Sequence, residues 1–170
     1  MIKQIGEREL LGEFAPLLGE VECGRHFDPR NPEHVKWLQW RVKAFIARGA
    51  RFYGLHSDDG APIGLVSLLP DQNLPGLPWH GDHGDIMHLG VAAGERRSGH
   101  GRRLVEHVEG VARELGHRSL MVSTTEGSEA ASFYEACGYE RVTVIPGIHG
   151  PSERGLVLFR KPLRPADSSP

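Results

Sequence analysis

Apolar residues recur along the chain at two spacings, one typical of helices and one typical of strands. Stripes at three- and four-residue intervals predict helices over residues 7–18, 32–49, 100–116 and 128–136. Short alternating or continuous apolar runs predict strands over residues 2–5, 51–56, 62–69, 85–91, 119–123, 139–144 and 156–161. This order predicts an α+β fold in which helices flank one mixed, mostly antiparallel sheet.

Cap and turn residues support several of these boundaries. Asn31 followed by Pro32 predicts a helix start, with Asn as the N-cap and Pro in the first helical position. The turn-rich residues 57–60 predict a hairpin between the strands on either side. We therefore expect a single domain over residues 1–161, followed by a polar tail over residues 162–170.

Composition places the chain among ordinary soluble proteins. It has 170 residues, 39% of them hydrophobic and 25% charged, which suits one domain with a substantial core. The net charge of -2 gives no reason to expect a nucleic-acid partner. Cys23 and Cys137 are too few for a disulfide framework, and no segment has the length of a membrane span. These features predict a cytoplasmic protein without a membrane partner.

The stretch from Arg96 to Gly101 reads R-x-x-G-x-G and lies between a predicted strand and a predicted helix. Helix N-termini favour phosphate because their first N–H groups lack intrahelical partners and carry the positive end of the helix dipole. Glycine lets the backbone approach a ligand closely, and arginine pairs with phosphate. The pattern therefore predicts a phosphate site, although an ordinary loop with a basic flank would also explain it. The Rossmann and P-loop patterns are absent.

Two motifs in the right order carry a family resemblance. Val91 is followed by R-x-x-G-x-G-x-x-L, which ends at Leu104, and Ala130 begins A-x-x-F-Y-E-x-x-G-Y, which ends at Tyr139. The first resembles the acetyl-CoA signature of the GNAT superfamily of N-acetyltransferases, and the second resembles a helix-strand segment of the same family. The resemblance is good from Asp85 to Tyr139. It implies the predicted fold and an enzyme that moves an acetyl group from acetyl-CoA to a primary amine in a ternary complex.

The same resemblance assigns the residues that bind acetyl-CoA as co-substrate. It implies that backbone groups before the turn pair with the pantetheine arm and that N–H groups of the turn hold the pyrophosphate. The expected cofactor-binding residues are Leu89, Gly90, Val91, Arg96, Arg97, Ser98, Gly99, His100, Gly101, Arg102, Ser128 and Tyr134. The acceptor is an amine of a small molecule or peptide, and the family also makes a homodimer an option.

Tyr134 and His88 are the expected catalytic residues. The resemblance implies that Tyr134 lies beside the cofactor sulfur, where a phenol can donate a proton to the leaving thiolate. Many relatives carry a glutamate base where this chain has Met87, so His88 is the candidate proton acceptor, directly or through water. The other candidates are Asp85, His83, His149 and a water chain without a single base.

Three alternatives to this catalytic interpretation stay open. Because Met87 cannot accept a proton, a non-catalytic acyl-CoA-binding sensor of the same fold is a second function, and an unrelated phosphate- or nucleotide-binding domain is a third. A zinc site built from Cys23, His26, His80 and His83 is a weak pattern, so no metal is expected. Trp37 and Trp40 fit either helix packing, the commoner role, or the acceptor pocket.

Overall fold

The computed structural model describes residues 1–23, 27–70, 83–146 and 154–163. Its strands are β1 (Ile2–Ile5), β2 (Arg51–His56), β3 (Pro62–Pro70), β4 (His83–Val91), β5 (Ser119–Thr125), β6 (Glu140–Ile145) and β7 (Leu156–Pro162). Within those described ranges its helices are α1 (Glu7–Leu11), α2 (Ala15–Cys23), α3 (Pro32–Ala47), α4 (His100–Glu114) and α5 (Glu129–Ala136).

The strands form one seven-stranded sheet in the order β1-β2-β3-β4-β5-β7-β6. The predicted hairpin is confirmed, since β2 and β3 pair antiparallel from Arg51↔Leu68 onward. β4 and β5 pair in parallel, in a register that runs from His83↔Ser119 to Ile86↔Val122. β7 pairs antiparallel with both β5 and β6. The predicted α+β fold with a mixed, mostly antiparallel sheet is confirmed.

One predicted helix is wrong. Residues 7–18 form no single helix, because α1 ends at Leu11 and α2 begins at Ala15. Pro16 supplies the physical reason, since it has no N–H to donate within a continuous helix but is tolerated in a first helical turn. Restarting the helix at Ala15 places Pro16 in that first turn and lets α2 continue to Cys23.

The predicted start of α3 is confirmed. Asn31 is the N-cap, and its side chain accepts a hydrogen bond of 3.0 Å from the Glu33 N–H. One face of α3 buries Leu38, Val42 and Phe45. These residues join a core cluster whose other members come from β1–β3, the first two helices and the turn between those helices: Ile5, Leu10, Phe14, Leu17, Leu18, Phe52 and Leu65.

Contacts along the chain divide it into two compact units. The first comprises Met1–Pro70 and Met87–Val108, and the core cluster described above belongs to it. The second comprises Asp71–Ile86 and Glu109–Pro170. Its buried side chains include Leu120 and Val122 of β5, Val157 and Phe159 of β7, and Tyr134 of α5. Each unit contains part of the residue set that the sequence predicts to be functional.

Candidate active site

In the first unit, a tight turn joins β4 to α4. A short 3-10 helix over Ala93–Glu95 precedes the motif, and α4 begins at His100. Arg97 and Gly99 have φ values of 65° and 80°, in the left-handed region that glycine adopts most readily. The Arg103 N–H donates to the Gly99 carbonyl at 3.1 Å, which closes the first turn of α4. The predicted arrangement of strand, basic turn and helix N-terminus is therefore present.

Arg96 is held inside this turn by two contacts. Its Nε donates to the Val91 carbonyl at 3.0 Å, and its Nη2 lies 2.6 Å from Oε1 of Glu20 on α2. Farther along, His100 Nε2 lies 3.4 Å from the Glu95 carboxylate. The Arg96 guanidinium thus links the end of β4 to α2, whereas the sequence interpretation directs it toward the cofactor phosphates.

The residues of β4 alternate between two faces. Ile86 and His88 are buried, whereas Met87 between them is 41% exposed. Near the end of the strand, α2 packs against the backbone so closely that a Cβ added to Gly90 would lie 2.5 Å from a methyl carbon of Val21. His88 and Met87, the two positions considered for the base, therefore project from opposite faces of the strand.

A chain of polar contacts surrounds His88. Its Nδ1 lies 2.7 Å from the Ser67 hydroxyl on β3, and its Nε2 is hydrogen-bonded to the Glu22 carboxylate on α2. Arg41 of α3 donates to the same carboxylate through Nε at 3.1 Å and Nη2 at 3.3 Å. Four elements of the first unit thus contribute one side chain each. We call Ser67, His88, Glu22 and Arg41 the His88 network.

The charge state of Glu22 determines how the network is protonated. Burial alone would raise the pKa of Glu22, but the hydrogen bond from His88 and the charge of Arg41 outweigh burial and lower that pKa below its usual value. An ionised carboxylate can only accept, so His88 Nε2 carries a proton. In a neutral ring Nδ1 then accepts from Ser67, and in a charged ring it donates to Ser67. The hydrogen bonds of His88 with Ser67 and Glu22 are therefore kept in both protonation states of the ring.

Aromatic rings enclose this network. Phe45 meets the His88 ring edge-on with centroids 4.8 Å apart, and the Phe52 centroid lies 5.5 Å from it. The Arg41 guanidinium lies over the Phe45 ring at 4.7 Å and the Trp37 ring at 5.6 Å. Low polarity around the network strengthens its hydrogen bonds and makes any unpaired member costly.

The outer side of α3 carries the two tryptophans. Trp37 is 38% exposed and Trp40 is 63% exposed, so neither ring is buried in the core. With Glu33 and Lys36 they line a pocket of about 280 Å³. Both tryptophans therefore lie on the exposed face of α3, opposite the face that buries Leu38, Val42 and Phe45.

In the second unit, Tyr134 lies on α5, and Ser128 is the N-cap of that helix. Ser128 accepts a hydrogen bond of 3.2 Å from the Ala131 N–H. The Tyr134 side chain is buried, and its ring meets Phe133 and Tyr139 at centroid distances of 5.3 and 5.6 Å. Burial raises the pKa of Tyr134 well above its usual value, and the nearby Cys137 contributes in the same direction. The phenol therefore stays protonated through the neutral and mildly alkaline range.

A buried carboxylate lies near Tyr139 in the same unit. Glu109 binds Lys161 Nζ at 2.7 Å and Arg113 Nη2 at 3.4 Å. Lys161 also donates to the Cys137 carbonyl at 2.8 Å. Burial and the adjacent Glu109 carboxylate raise the pKa of Tyr139. These contacts tie α4, the end of α5 and β7 together.

Several predicted candidates receive no assembled site. His26, His80 and His149 lie outside the described residues, whereas His83 and Asp85 lie on β4. In the described parts of the chain, no three His, Cys, Asp or Glu side chains are grouped so as to hold a metal ion. Among those same residues, no helix combines the length and hydropathy that a membrane crossing requires.

The sequence interpretation missed Ser67, Glu22 and Arg41. They are separated from one another and from His88 by 19 to 66 positions, and no local pattern connects them. Only the packing of α2 and α3 against the sheet brings them together. The predicted roles of Tyr134, His88 and the turn residues stay predictions.

Comparisons with known proteins agree with this architecture. The sequence model of the acetyltransferase (GNAT) family matches residues 16–139. An aminoglycoside 6'-N-acetyltransferase complexed with coenzyme A superimposes with a TM-score of 0.74 at 15% identity, covering 97% of this chain and 98% of that one. IAA acetyltransferase from Bacillus cereus ATCC 14579 gives 0.69 at 19% identity, with 96% and 99% covered. The Enterococcus faecium aminoglycoside 6'-N-acetyltransferase gives 0.74 at 15% identity, with 97% and 98% covered.

Proposed function

Because the chain belongs to the acetyltransferase (GNAT) family, we propose that it moves an acetyl group from acetyl-CoA to a primary amine of a small molecule or peptide. Transfer is direct: the amine nitrogen attacks the thioester carbon, the C–S bond breaks, and the amine gives up a proton. Holding both substrates in one ternary complex supplies much of the rate enhancement, so no covalent enzyme intermediate is needed.

The turn between β4 and α4 carries the proposal. α4 is 15 residues long, and its first N–H groups have no partners inside the helix. In this proposal the backbone from Arg97 to Arg102, including Ser98, Gly99, His100 and Gly101, binds the pyrophosphate at the positive end of the helix dipole. The left-handed backbone at Arg97 and Gly99 supports this role, because anion-binding turns use such conformations to direct backbone N–H groups at one ligand.

The end of β4 suits the pantetheine arm. The pairing register of β4 with β5 ends at Ile86↔Val122, before the segment from Leu89 through Gly90 to Val91. In the proposal this segment pairs with the amides of pantetheine as a strand would. Arg96 would act here through the Val91 carbonyl, to which it donates a hydrogen bond.

Tyr134 would act on the leaving sulfur. Its raised pKa makes full proton transfer to a thiolate less favourable, because an acid with a higher pKa releases its proton less readily. The same raised pKa keeps the hydroxyl hydrogen in place, so Tyr134 stabilises the thiolate as a hydrogen-bond donor. Ser128, whose hydroxyl caps α5, would contact the cofactor from the same short helix.

His88 is the proposed proton acceptor for the amine. Both of its ring nitrogens already have partners, and Nε2 already carries a proton, so an incoming proton would reach Nδ1 through the Ser67 hydroxyl. The network supports this role because it accommodates both protonation states of the ring. Two other observations favour the second candidate function, an acyl-CoA-binding sensor: Met87 cannot accept a proton, and the His88 side chain is buried.

Calorimetric titration with acetyl-CoA, followed by thiol release against a panel of amines that includes aminoglycosides, tests the proposal. Binding with turnover is the expected result. Binding without turnover on any amine would favour the sensor, and absence of binding would overturn both functions.

Substitutions at two glycines of α4 test where the cofactor binds. Gly101→Glu places a carboxylate at the helix N-terminus, so we expect about tenfold weaker acetyl-CoA binding or more. Gly110→Glu is the matched control, because a Cβ there meets no heavy atom within 4 Å. It should fold and bind acetyl-CoA like the wild type. Equal affinities in the two variants would exclude the turn as the phosphate site.

A further inference from the structure

The contact between Arg96 and Glu20 assigns the arginine a role different from phosphate binding. Its guanidinium is held on two sides, by the Val91 carbonyl at 3.0 Å and by Glu20 at 2.6 Å. Both side chains are about half exposed, at 53% and 44%. An arginine fork engaged at two edges in this way does not present those edges to a ligand.

Glu20 lies on the stretch of α2 that follows β4 most closely. The next residue, Val21, packs against Gly90, and Glu22 binds His88. Three consecutive residues of α2 therefore contact the turn, the end of β4 and the buried face of β4. Because Glu22 and Val21 are held in place by burial and packing, the backbone of Glu20 is held with them.

We propose that Glu20 is a positioning residue for the cofactor turn. It holds Arg96 against the Val91 carbonyl and thereby fixes the backbone of residues 97–99. This inference rests on the proposed role of the turn in acetyl-CoA binding. A carboxylate on α2 thus strengthens the binding of a highly anionic cofactor that it never touches.

The sign of the effect separates this proposal from simple electrostatics. Removing a negative charge near an anionic ligand should raise its affinity, and a released Arg96 could add a phosphate contact. The positioning role predicts a lower affinity for acetyl-CoA, because the turn loses the contact that fixes its backbone. Glu20→Gln, which keeps the shape and removes the charge, tests the two directly.

The experiment measures acetyl-CoA affinity by calorimetry and amide hydrogen exchange of residues 97–99 in the ligand-free protein. For Glu20→Gln and for Arg96→Lys we expect two- to fivefold weaker binding, about the range that an exposed ion pair contributes, and faster exchange. The double variant should bind no more weakly than the weaker single variant, since both single changes already disrupt the same contact between Arg96 and Glu20. The KM for acetyl-CoA should rise while kcat and the KM for the amine stay unchanged.

Glu7→Gln is the matched control, since Glu7 pairs with Lys43 at 4.0 Å and is also about half exposed, at 45%. It should leave acetyl-CoA affinity and exchange in the turn unchanged. Tighter or equal binding by Glu20→Gln, or unchanged exchange, would overturn the positioning role while the proposed function stands. Wild-type protein that binds no acetyl-CoA would instead overturn the proposed function itself.

Discussion

α2 presents two glutamates two residues apart, and they differ in almost every physical respect. Glu20 is about half exposed and pairs with Arg96, whereas Glu22 is 8% exposed and contacts both His88 and Arg41. Water competes for the first pair, so that pair contributes little to the free energy of unfolding. The second pair lies among aromatic rings, where losing a partner is costly. Burial therefore separates a contact that sets local shape from one that stabilises the fold.

The largest effect should come from removing Glu22. Glu22→Ala leaves the His88 Nε2–H without an acceptor and Arg41 without its carboxylate, so we expect a loss of about 3 kcal/mol in the free energy of unfolding. Glu20→Ala should cost less than about 1 kcal/mol. Urea denaturation of both variants measures the difference. Similar losses in the two would show that burial does not separate these glutamates.

Tyr134→Phe extends the comparison to the second unit, where a buried group is proposed to serve catalysis. We expect about a hundredfold lower kcat, since a positioned donor or acid typically contributes on this scale. Acetyl-CoA affinity should change little, because only a hydroxyl is removed. Steady-state kinetics and calorimetry test this together, and an unchanged kcat would remove Tyr134 from the mechanism. Phe133→Leu, beside it on α5, serves as a packing control.

Acid sensitivity is the third and smallest expected difference. The pKa of Glu22 is lower in the folded protein than in the unfolded chain. Its stabilising contribution is therefore present above the ordinary carboxyl pKa and is lost as the pH falls through the folded value. Stability should fall less steeply below about pH 5 in Glu22→Gln than in the wild type. Urea midpoints measured across that range test the sign, and parallel curves would contradict it.

The sequence predicted features that depend on neighbouring residues. Asn31 and Pro32 specify a helix start by local chemistry, and the turn from Arg96 to Gly101 is recognisable from its glycines and flanking periodicities. Seven strands and their hairpin were predictable because each strand carries its own apolar run. The His88 network was not, because His88 and Glu22 lie 66 positions apart and meet only through tertiary packing. The break at Pro16 was missed because the apolar stripe continues across it.

The distance in sequence between Glu22 and His88 also affects the order in which the protein folds. The helix start at Asn31 and the β2–β3 hairpin involve residues close in sequence, so they can form before distant segments meet. The contact between Glu22 and His88 closes a much longer loop and requires α2, α3 and β4 to be in place already. Weakening the contact between Glu22 and His88 should therefore speed unfolding and leave the rate of folding nearly unchanged. The His88 network therefore forms late in folding, and its main effect is to slow the unfolding of the first unit.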